Sequence, residues 1–530
     1  MLVAAAPGSG KTRVLASRFA RLIGEGVPPR SMLAITFTNR AALEMKSRVA
    51  ALVRGDASPL NIMTFHALCL SFLRKARPGF NLCGRAGQLR LLRRLGVKNQ
   101  EAALSTISAI KNIGGFEPSP EGLETFALYS KGLGEMEALD LDDLIPETIK
   151  TIESDAKSLA FFGFSAVMVD EYQDINRHQA LLLRLLARNG ATLFCIGDPD
   201  QAIYAFRGAK SGGFAEFERD YPGASILSLE RNYRSRAKIV LASKAIIENG
   251  PSATENRIAA VRDGGEVEII ECADEKDEAA FVVREIERLM GGFTSSSVSS
   301  LAADNGFRIS DFAVLFRTNR QASALAEAFS RSSLPYRVIG PKGEGVLDLI
   351  ERLKALVPAP DMGLSEFVRA VGVECCLDHE LLDGLVEAAG AYGSSREGLG
   401  DFIDDTLLAE QCEDAGIVAD RVSLLTMHAA KGLEFAIVFI TGVEDGLVPL
   451  KPRGGSCDAG EERRLLYVGM TRAKEKLYLL NCRTRRDWAG TLERRPSPFL
   501  AEIPDGFITK RVVMEKKKTK RRPEQKGLFD

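Results

Sequence analysis

The segment AAAPGSGKT, residues 4–12, constrains the fold of this chain more than any other part of the sequence. The apolar run from Leu2 to Ala5 predicts a buried strand, and the Gly-rich segment follows it directly. Apolar residues then recur at helical spacing, at Val14, Leu15, Phe19, Leu22 and Ile23. A Gly-rich turn between a strand and a helix lets backbone N–H groups surround phosphates at the positive end of the helix. The sequence therefore predicts a phosphate-binding loop.

Two side chains of this loop have specific expected roles. Lys11 would reach the outer phosphates of a nucleoside triphosphate, and the Thr12 hydroxyl would be a ligand of Mg²⁺. The residues that we expect to contact the nucleotide here are Ala5, Ala6, Pro7, Gly8, Ser9, Gly10, Lys11 and Thr12. Ala5 stands where the simplest loop pattern has its first glycine. The loop alone indicates a triphosphate and not the process that its hydrolysis drives.

Two later apolar strands end in polar residues that suit triphosphate hydrolysis. The segment SAVMVDEYQD, residues 165–174, predicts a strand followed by Asp170, which would hold Mg²⁺, and Glu171, which would orient and deprotonate the attacking water. A solvated acidic turn is the alternative for this segment taken alone. The next strand leads into GDPDQAIYAFRGA, where the Gln201 amide could contact the γ-phosphate. Beyond it, Tyr204 and Phe206 offer rings to unpaired bases.

Composition limits the classes of protein that remain. With 530 residues the chain is long enough for several domains, and Lys plus Arg (70) nearly balance Asp plus Glu (71). Any nucleic-acid surface must therefore be a local patch. The nine cysteines form no C-x-x-C pair, which argues against a zinc site or a disulfide framework. The apolar start lacks a basic n-region, and no apolar run reaches the roughly 20 residues that span a bilayer, so we expect a cytoplasmic protein with no membrane partner.

The chain resembles the superfamily 1 DNA helicases of the UvrD, Rep and PcrA type from Leu2 to about Leu480. The family's motifs are matched in order by APGSGKT, AITFTNRAALEMKSRV, IMTFHAL, VDEYQD, GDPDQAIYAFRGA, LERNYRS, LLTMHAAKGLEFAIVFITG and EERRLLYVGMTRAKEKL. The resemblance implies an α/β fold with two RecA-like P-loop lobes and helical insertions. The expected first lobe is 1–72 with 160–226, its helical insertion 73–159, the second lobe 227–345 with 420–500, a reduced second insertion 346–419, and a basic flexible tail 501–530.

The resemblance also implies further residues of the ATP site. Arg13 and Tyr233 correspond to the pair that stacks on the two faces of adenine, a cation and a ring. Arg234 and Arg472 correspond to arginines that reach the γ-phosphate from the second lobe, and Glu434 to a ribose contact. Family members usually carry an adenine-reading glutamine before the phosphate loop, and the chain has no residues there. Either adenine is held by stacking without edge readout, or the printed sequence starts late.

A set of rings and polar side chains matches positions where the family contacts single-stranded DNA. These residues are Phe37, Thr38, Thr64, His66, Tyr204, Phe206, Arg207 and His428. Ring stacking tolerates any base, which suits a motor that steps along DNA. The alternative for Phe206 is an aromatic residue of the apolar core. The alternative for His66 and His428 is a histidine buried in the interior with its hydrogen bonds satisfied. Many family members have tryptophan at the position of Phe206, so a weaker grip on the base is implied.

The function that the resemblance implies is an ATP-dependent single-stranded DNA translocase and 3′–5′ DNA helicase with ATP and Mg²⁺ as cofactors. Its partners would be single-stranded and tailed duplex DNA, in DNA repair, recombination or replication restart. The alternative is a DNA-stimulated ATPase that strips proteins from single strands and unwinds little. A P-loop ATPase that acts on no nucleic acid is a third class, and the DNA-contacting motifs argue against it. The sequence does not indicate an oligomeric state.

The C-terminal tail offers two interpretations. Residues 510–526, KRVVMEKKKTKRRPEQK, are rich in Lys and Arg, so a plain solvated or DNA-attracting tail is one of them. The chain ends in EQKGLFD, and Gln525, Leu528 and Phe529 are similar to the Q-x-x-L-F peptide by which bacterial replication and repair proteins dock on the sliding clamp. The usual second residue of that peptide is leucine where Lys526 stands, so we expect modest affinity.

Overall fold

The computed structural model describes residues 1–53, 60–209, 213–250, 258–291, 306–339, 344–356, 362–375, 377, 379–392, 396–410, 420–451, 457–487 and 490–513. The predicted clamp-docking residues Gln525, Leu528 and Phe529 lie outside these ranges. The chain forms two compact units. The first unit is Met1–Arg234, Thr254–Val261 and Ile339–Gly416, and the second is Ser235–Ala253, Arg262–Val338 and Ile417–Asp530.

The described helices and strands alternate along most of the chain. The helices are α1 (Lys11–Gly24), α2 (Asn39–Val53), α3 (Phe65–Ala76), α4 (Arg85–Arg94), α5 (Gln100–Asn112), α6 (Pro120–Glu135), α7 (Leu144–Ser154), α8 (Arg177–Arg188), α9 (Gly213–Asp220), α10 (Ala237–Glu248), α11 (Glu275–Leu289), α12 (Ala322–Ser330), α13 (Glu344–Ala355), α14 (Leu364–Glu374), α15 (His379–Ala389), α16 (Arg396–Glu410) and α17 (Ala459–Met470).

The strands are β1 (Leu2–Ala5), β2 (Met32–Thr36), β3 (Ile62–Thr64), β4 (Asn81–Cys83), β5 (Ala138–Asp140), β6 (Ala166–Val169), β7 (Thr192–Gly197), β8 (Ile226–Leu229), β9 (Arg231–Arg236), β10 (Ala259–Arg262), β11 (Glu266–Cys272), β12 (Phe312–Phe316), β13 (Tyr336–Ile339), β14 (Val422–Thr426), β15 (Phe435–Ile440), β16 (Ala473–Cys482), β17 (Thr484–Asp487), β18 (Gly490–Glu493) and β19 (Thr509–Val512). Among the residues that the structure describes, no helix is long and apolar enough to cross a membrane.

The first unit is built on a parallel sheet with strand order β3-β2-β6-β7-β1-β8. Both of its faces are covered, which explains why its strands are almost continuously apolar. In β2, Met32 packs in the cluster that contains Leu15 and Phe19 of α1, whereas Leu33 packs on the opposite side with α3, α7 and α8. The predicted α/β class is confirmed.

A helical insertion follows α3 in the first unit. It contains α4 to α7 and the two-stranded parallel pairing of β4 with β5. Its small core is formed around Leu92 and Tyr129, both fully buried. The insertion therefore has its own apolar centre beside that of the main sheet.

Helices α13 to α16, residues 344–410, belong to the first unit although they lie in the second half of the sequence. Leu353, Val368 and Phe402 are buried in the same apolar cluster as Phe72 of α3. An ion pair joins Arg74 Nη2 to Asp404 Oδ2 at 2.7 Å, and Lys354 Nζ donates to the carbonyl of Leu82 at 3.2 Å. These helices are fixed to the first unit by apolar and polar contacts together.

The second unit has a seven-stranded sheet of order β13-β14-β12-β15-β16-β11-β19. The pairings from β14 through β19 are parallel. Val314, Phe439 and Tyr478 are fully buried in its core, and Phe439 stacks on Tyr478 with ring centroids 4.5 Å apart. A second parallel sheet with covering helices agrees with the two P-loop-type lobes expected from the sequence.

Candidate functional site

The loop between β1 and α1 has the geometry of an anion-binding turn. Gly8 and Gly10 have φ of 69° and 88°, a region that side chains rarely adopt, and α1 begins at Lys11. The Ser9 hydroxyl donates to the Ala6 carbonyl at 2.7 Å and closes the turn. The Lys11 ammonium donates to the Ala5 carbonyl at 3.1 Å, so its charge lies inside the loop. The N-terminus of α1 and this ammonium both favour a phosphate here.

Asp170 follows β6 and faces the start of α1. Its backbone N–H donates to the Ile35 carbonyl at 2.9 Å, which continues the ladder between β2 and β6, and the Thr12 hydroxyl donates to Asp170 Oδ2 at 3.4 Å. Burial, reinforced by the Glu171 carboxylate, raises the pKa of Asp170 to about 7. A hydroxyl and a buried carboxylate are hard oxygen donors, so Thr12 and Asp170 fit the ligand chemistry of Mg²⁺.

Glu171 is held in an unusual backbone conformation. Its φ of 50° places a non-glycine residue in the left-handed region, a strain of order 1–3 kcal/mol that occurs most often at functional sites. The Gln173 amide donates to Glu171 Oε2 at 2.5 Å, and its own carbonyl oxygen accepts from the Asp198 N–H at 2.8 Å. Gly197 leaves room for this contact, since a Cβ there would lie 2.3 Å from Gln173 Oε1.

The same hydrogen-bonded series reaches the residue predicted to contact the γ-phosphate. Gln201 Nε2 donates to Asp198 Oδ2 at 2.6 Å, and both side chains are almost completely buried. Burial raises the pKa of Asp198. Glu171, Gln173, Asp198 and Gln201 thus form one continuous connection between the ends of β6 and β7.

Residues 232–234 lie directly on the phosphate loop within the first unit. The Asn232 amide donates to the Pro7 carbonyl at 2.8 Å, and the Tyr233 N–H donates to the Gly8 carbonyl at 2.9 Å. Asn232 Oδ1 in turn accepts from the Arg234 N–H at 2.9 Å. Tyr233 is 56% exposed and Arg13 is also exposed, so both keep a surface that a flat base could contact.

Three rings form a ring platform, defined here as Phe37, Tyr204 and Phe206, beside these loops. Phe37 and Tyr204 stack with centroids 5.2 Å apart and an interplanar angle of 17°. Phe206 is tilted against Tyr204 at 5.9 Å and is 56% exposed. A core role for Phe206 does not agree with that exposure.

The polar residues predicted to contact DNA differ in their surroundings. Thr64 is buried, and its hydroxyl accepts from the Ala67 N–H at 3.2 Å as the N-cap of α3. The Thr38 hydroxyl accepts from the Ala41 N–H at 3.1 Å at the start of α2. His66 lies in the first turn of α3 and is partly buried. The side chain of Arg207 lies outside the described part of the chain.

Three predicted site residues belong to the second unit, Glu434, Arg472 and His428. Glu434 forms an ion pair with Lys474 at 2.7 Å. Arg472 is 2% exposed, and its guanidinium donates to the carbonyls of Val468 at 2.9 Å and Leu433 at 3.2 Å. His428 is partly buried in the turn after β14. The assignments of these residues to ATP and DNA stay predictions.

The structure adds three residues that sequence reasoning did not single out: Gln173, Asp198 and Asn232. Each lies inside a segment that had been matched to the family. The matched motif was therefore the only sequence signal that pointed to these residues, because their residue types alone do not indicate a role. Their roles depend on partners elsewhere in the chain. Only the fold brings Gln173 to Asp198 and Asn232 to Pro7.

Two family models match most of the chain. The UvrD/REP helicase N-terminal domain matches residues 1–116 and 98–222, and the UvrD-like helicase C-terminal domain matches residues 227–344 and 379–484. Curated proteins called ATP-dependent DNA helicase PcrA are similar along nearly the whole chain. The protein of Staphylococcus aureus (strain MRSA252) is 31% identical over 96% of this chain and 84% of its own length. That of Bacillus subtilis (strain 168) is 31% identical over 98% of this chain and 85% of its own length.

A solved structure, the C-terminal domain of a possible DNA helicase from Lactobacillus plantarum WCFS1, was also matched. The match covers 52% of this chain and 98% of the solved chain, at 15% sequence identity. Its TM-score of 0.27 is too low to support an argument about fold.

Proposed function

The chain belongs to the UvrD/REP helicase family, and from this premise we propose that it is an ATP-dependent motor that moves 3′ to 5′ along single-stranded DNA and separates the duplex ahead of it. The family membership makes it a DNA-dependent ATPase of the helicase class. The direction of movement and the substrate geometry are the parts that we propose.

The chemistry that we assign to the first unit is hydrolysis by an activated water. Lys11 and the N–H groups at the start of α1 bind the phosphates, and Glu171 accepts the proton of the water. Thr12 and Asp170 would hold Mg²⁺, which when bound neutralises phosphate charge. Gln173 fixes the orientation of the Glu171 carboxylate through its 2.5 Å hydrogen bond.

One observation carries the proposal that hydrolysis is coupled to DNA. The hydrogen-bonded series from Glu171 through Gln173 and Asp198 ends at Gln201, three residues before Tyr204 of the ring platform. A displacement of the Glu171 carboxylate can therefore move Gln201 through buried hydrogen bonds, and with it the segment that carries Tyr204. Stacking on such rings contributes about 1–3 kcal/mol per base with little sequence preference, which suits translocation.

A second candidate is a translocase that strips proteins from single strands with little unwinding. The observation that favours it is the length of the chain. The match to the Staphylococcus aureus relative extends over 632 aligned positions while this chain has 530 residues, so the relative carries residues at more than 100 positions where this chain has none. We propose that part of this difference lies in the reduced insertion near 346–419. A smaller insertion offers less surface for duplex.

An unwinding assay tests these alternatives. Duplexes with a 3′ single-stranded tail, a 5′ tail or blunt ends are mixed with the enzyme and ATP, and strand separation is followed by fluorescence. The proposal expects separation of the 3′-tailed duplex alone, and Lys11→Ala, which lacks the phosphate-binding ammonium, should separate none. ATP-driven displacement of streptavidin from a biotinylated single strand, without strand separation, would favour the second candidate. An ATPase rate that DNA does not raise would contradict both.

Further parts of the function are proposed on the resemblance. We propose that the enzyme works in the cytoplasm on the bacterial nucleoid, in repair, recombination or replication restart, and that its C-terminal residues dock on the sliding clamp. The lobe and insertion boundaries stated above are likewise proposals, as are the adenine contacts of Arg13 and Tyr233 and the phosphate contacts of Arg234 and Arg472.

A further inference from the structure

The C-terminal end of α5, in the helical insertion, lies against the loop that carries Tyr204 and Phe206 of the ring platform. Gly208 in that loop has a φ of 83°, and a Cβ added there would lie 2.5 Å from the carbonyl oxygen of Asn112. Such a distance is shorter than any ordinary carbon–oxygen contact. The loop can therefore approach α5 only because residue 208 is glycine.

Asn112 and Lys111 also contact the segment that follows Glu171. Asn176 Nδ2 donates to Asn112 Oδ1 at 3.3 Å, and His178 Nε2 lies 2.9 Å from the carbonyl oxygen of Lys111. Asn176 pairs with Ala209 in an antiparallel bridge. The end of α5 thus touches both the platform loop and the start of α8.

The end of α5 is itself firmly held by a buried charge cluster. Lys111 Nζ lies 2.7 Å from a carboxylate oxygen of Asp140 and 2.7 Å from one of Asp143, and its side chain is 8% exposed. Tyr129 donates its hydroxyl to Asp140 at 2.8 Å, and its ring centroid is 5.4 Å from the ammonium. These contacts tie α5 to β5 and α6, so the contact at Gly208 is made by a rigid element.

We propose that Lys111 and Asn112 are positioning residues for DNA binding: the helical insertion, and not the sheet alone, sets where the ring platform stands. This inference rests on the proposed function, since it assumes that the platform receives the bases. A binding surface held in its productive geometry by packed neighbours loses less conformational entropy when the ligand binds. Displacing the 204–209 loop from α5 should therefore weaken DNA binding without changing the hydrolytic residues.

The test compares two glycines that share the same backbone strain. Gly208 and Gly115 have φ of 83° and 78°, but a Cβ at Gly115 would meet nothing within 4 Å. Gly208→Ala and Gly115→Ala are measured for the Kd of fluorescent oligothymidylate, for ATPase rate without DNA, and for Tm. We expect Gly208→Ala to raise the Kd about tenfold, which corresponds to the loss of part of the stacking energy of one base. Its ATPase rate without DNA should stay within about twofold of the wild-type rate. Gly115→Ala should leave all three nearly unchanged.

A side-chain pair gives an independent readout. Asn112→Ala removes the acceptor for Asn176 and adds no atom, and we expect the Kd for the oligonucleotide to rise about threefold. An unchanged Kd in Gly208→Ala would overturn the inference, and so would an equal loss of DNA affinity in Gly115→Ala. If the wild-type enzyme still unwinds DNA, the proposed function is not affected by either result. A wild-type enzyme that neither binds nor unwinds DNA would overturn both.

Discussion

The Gln173 side chain donates a hydrogen bond to Glu171, with 2.5 Å between Nε2 and Oε2, and so fixes a carboxylate whose own backbone is strained at a φ of 50°. The contact orients the carboxylate of Glu171 at the end of β6. This relationship makes Glu171 the best-defined candidate for the catalytic base.

Glu171→Gln should bind ATP with nearly wild-type affinity and lose turnover by a factor of about 10² or more, because an amide cannot accept the proton of the water. Equilibrium binding of a fluorescent ATP analogue and the steady-state ATPase rate with saturating DNA measure the two effects. Turnover within a few-fold of wild type would remove Glu171 from the catalytic role.

Gly8→Ala should weaken ATP binding by disturbing the contact between the phosphate loop and residues 232–234. A Cβ at Gly8 would lie 2.7 Å from Arg234 Cβ and 2.9 Å from Asn232 Oδ1. Gly26→Ala is the matched control, since Gly26 also has a positive φ, of 90°, but has open space around it. We expect the Kd for ATP to rise about tenfold or more in Gly8→Ala alone. Equal affinities for the two variants would contradict this reading of the loop.

Stability should depend on pH through Asp143. Burial and the neighbouring Asp140 raise the pKa of Asp143 from 3.8 to about 6 in the folded chain, although Lys111 opposes the shift. The folded state then binds more protons than the unfolded state between these values, so the contribution of this group to stability falls as pH rises from about 4 to about 6.

Asp143→Asn removes this titration and also the ion pair with Lys111, whose loss adds a cost that does not change with pH in this range. The free energy of unfolding of the variant should therefore gain on that of wild type as pH rises across the window, by a change on the order of 1–3 kcal/mol. The gain should be constant above pH 7. Urea unfolding of both proteins at several pH values measures it. A difference between the two proteins that does not change with pH would contradict the assignment.

The ion pair between Arg74 and Asp404 should contribute to the attachment of α13 to α16. Asp404→Ala removes both hydrogen bonds that Arg74 makes to Asp404 Oδ2, at 2.7 and 3.1 Å, in a partly buried setting. We expect a loss of about 1 kcal/mol, visible as a lower Tm and faster proteolysis of residues 344–410. Asp383→Ala breaks the exposed pair with Arg369 and should change neither measurement. If both variants behave alike, the pair at Asp404 does not hold these helices.

A peptide of residues 523–530 should bind a bacterial sliding clamp with modest affinity, because Gln525 offers a polar contact and Leu528 and Phe529 offer apolar ones. Replacing Leu528 and Phe529 together with alanine should abolish the binding in a fluorescence titration. Attraction of the basic tail to DNA would instead weaken steeply with salt and ignore both replacements. Equal binding by the two peptides would reduce the tail to a charged appendage.

The sequence by itself determined the local parts of the site. A strand, a Gly-rich turn and a helix are set by contiguous residues, so the phosphate loop and the acidic end of β6 were predicted where the structure has them. The α/β lobes were expected from the family resemblance, and the almost continuously apolar strands agree with parallel sheets covered on both faces. Thr64 is also the N-cap of α3, a role that its place before the helix permits, and its assignment to DNA stays a prediction.

Only the tertiary structure decided which distant residues meet. Gly208 is separated from Asn112 by the whole of α6 to α8, and Asp404 from Arg74 by 330 positions in the sequence, yet each pair is in contact. Hydrophobic periodicity shows that a helix has a buried face but not which surface covers it, because apolar burial is non-directional. The placement of α13 to α16 on the first unit, and of α5 against the ring platform, therefore required the packed fold.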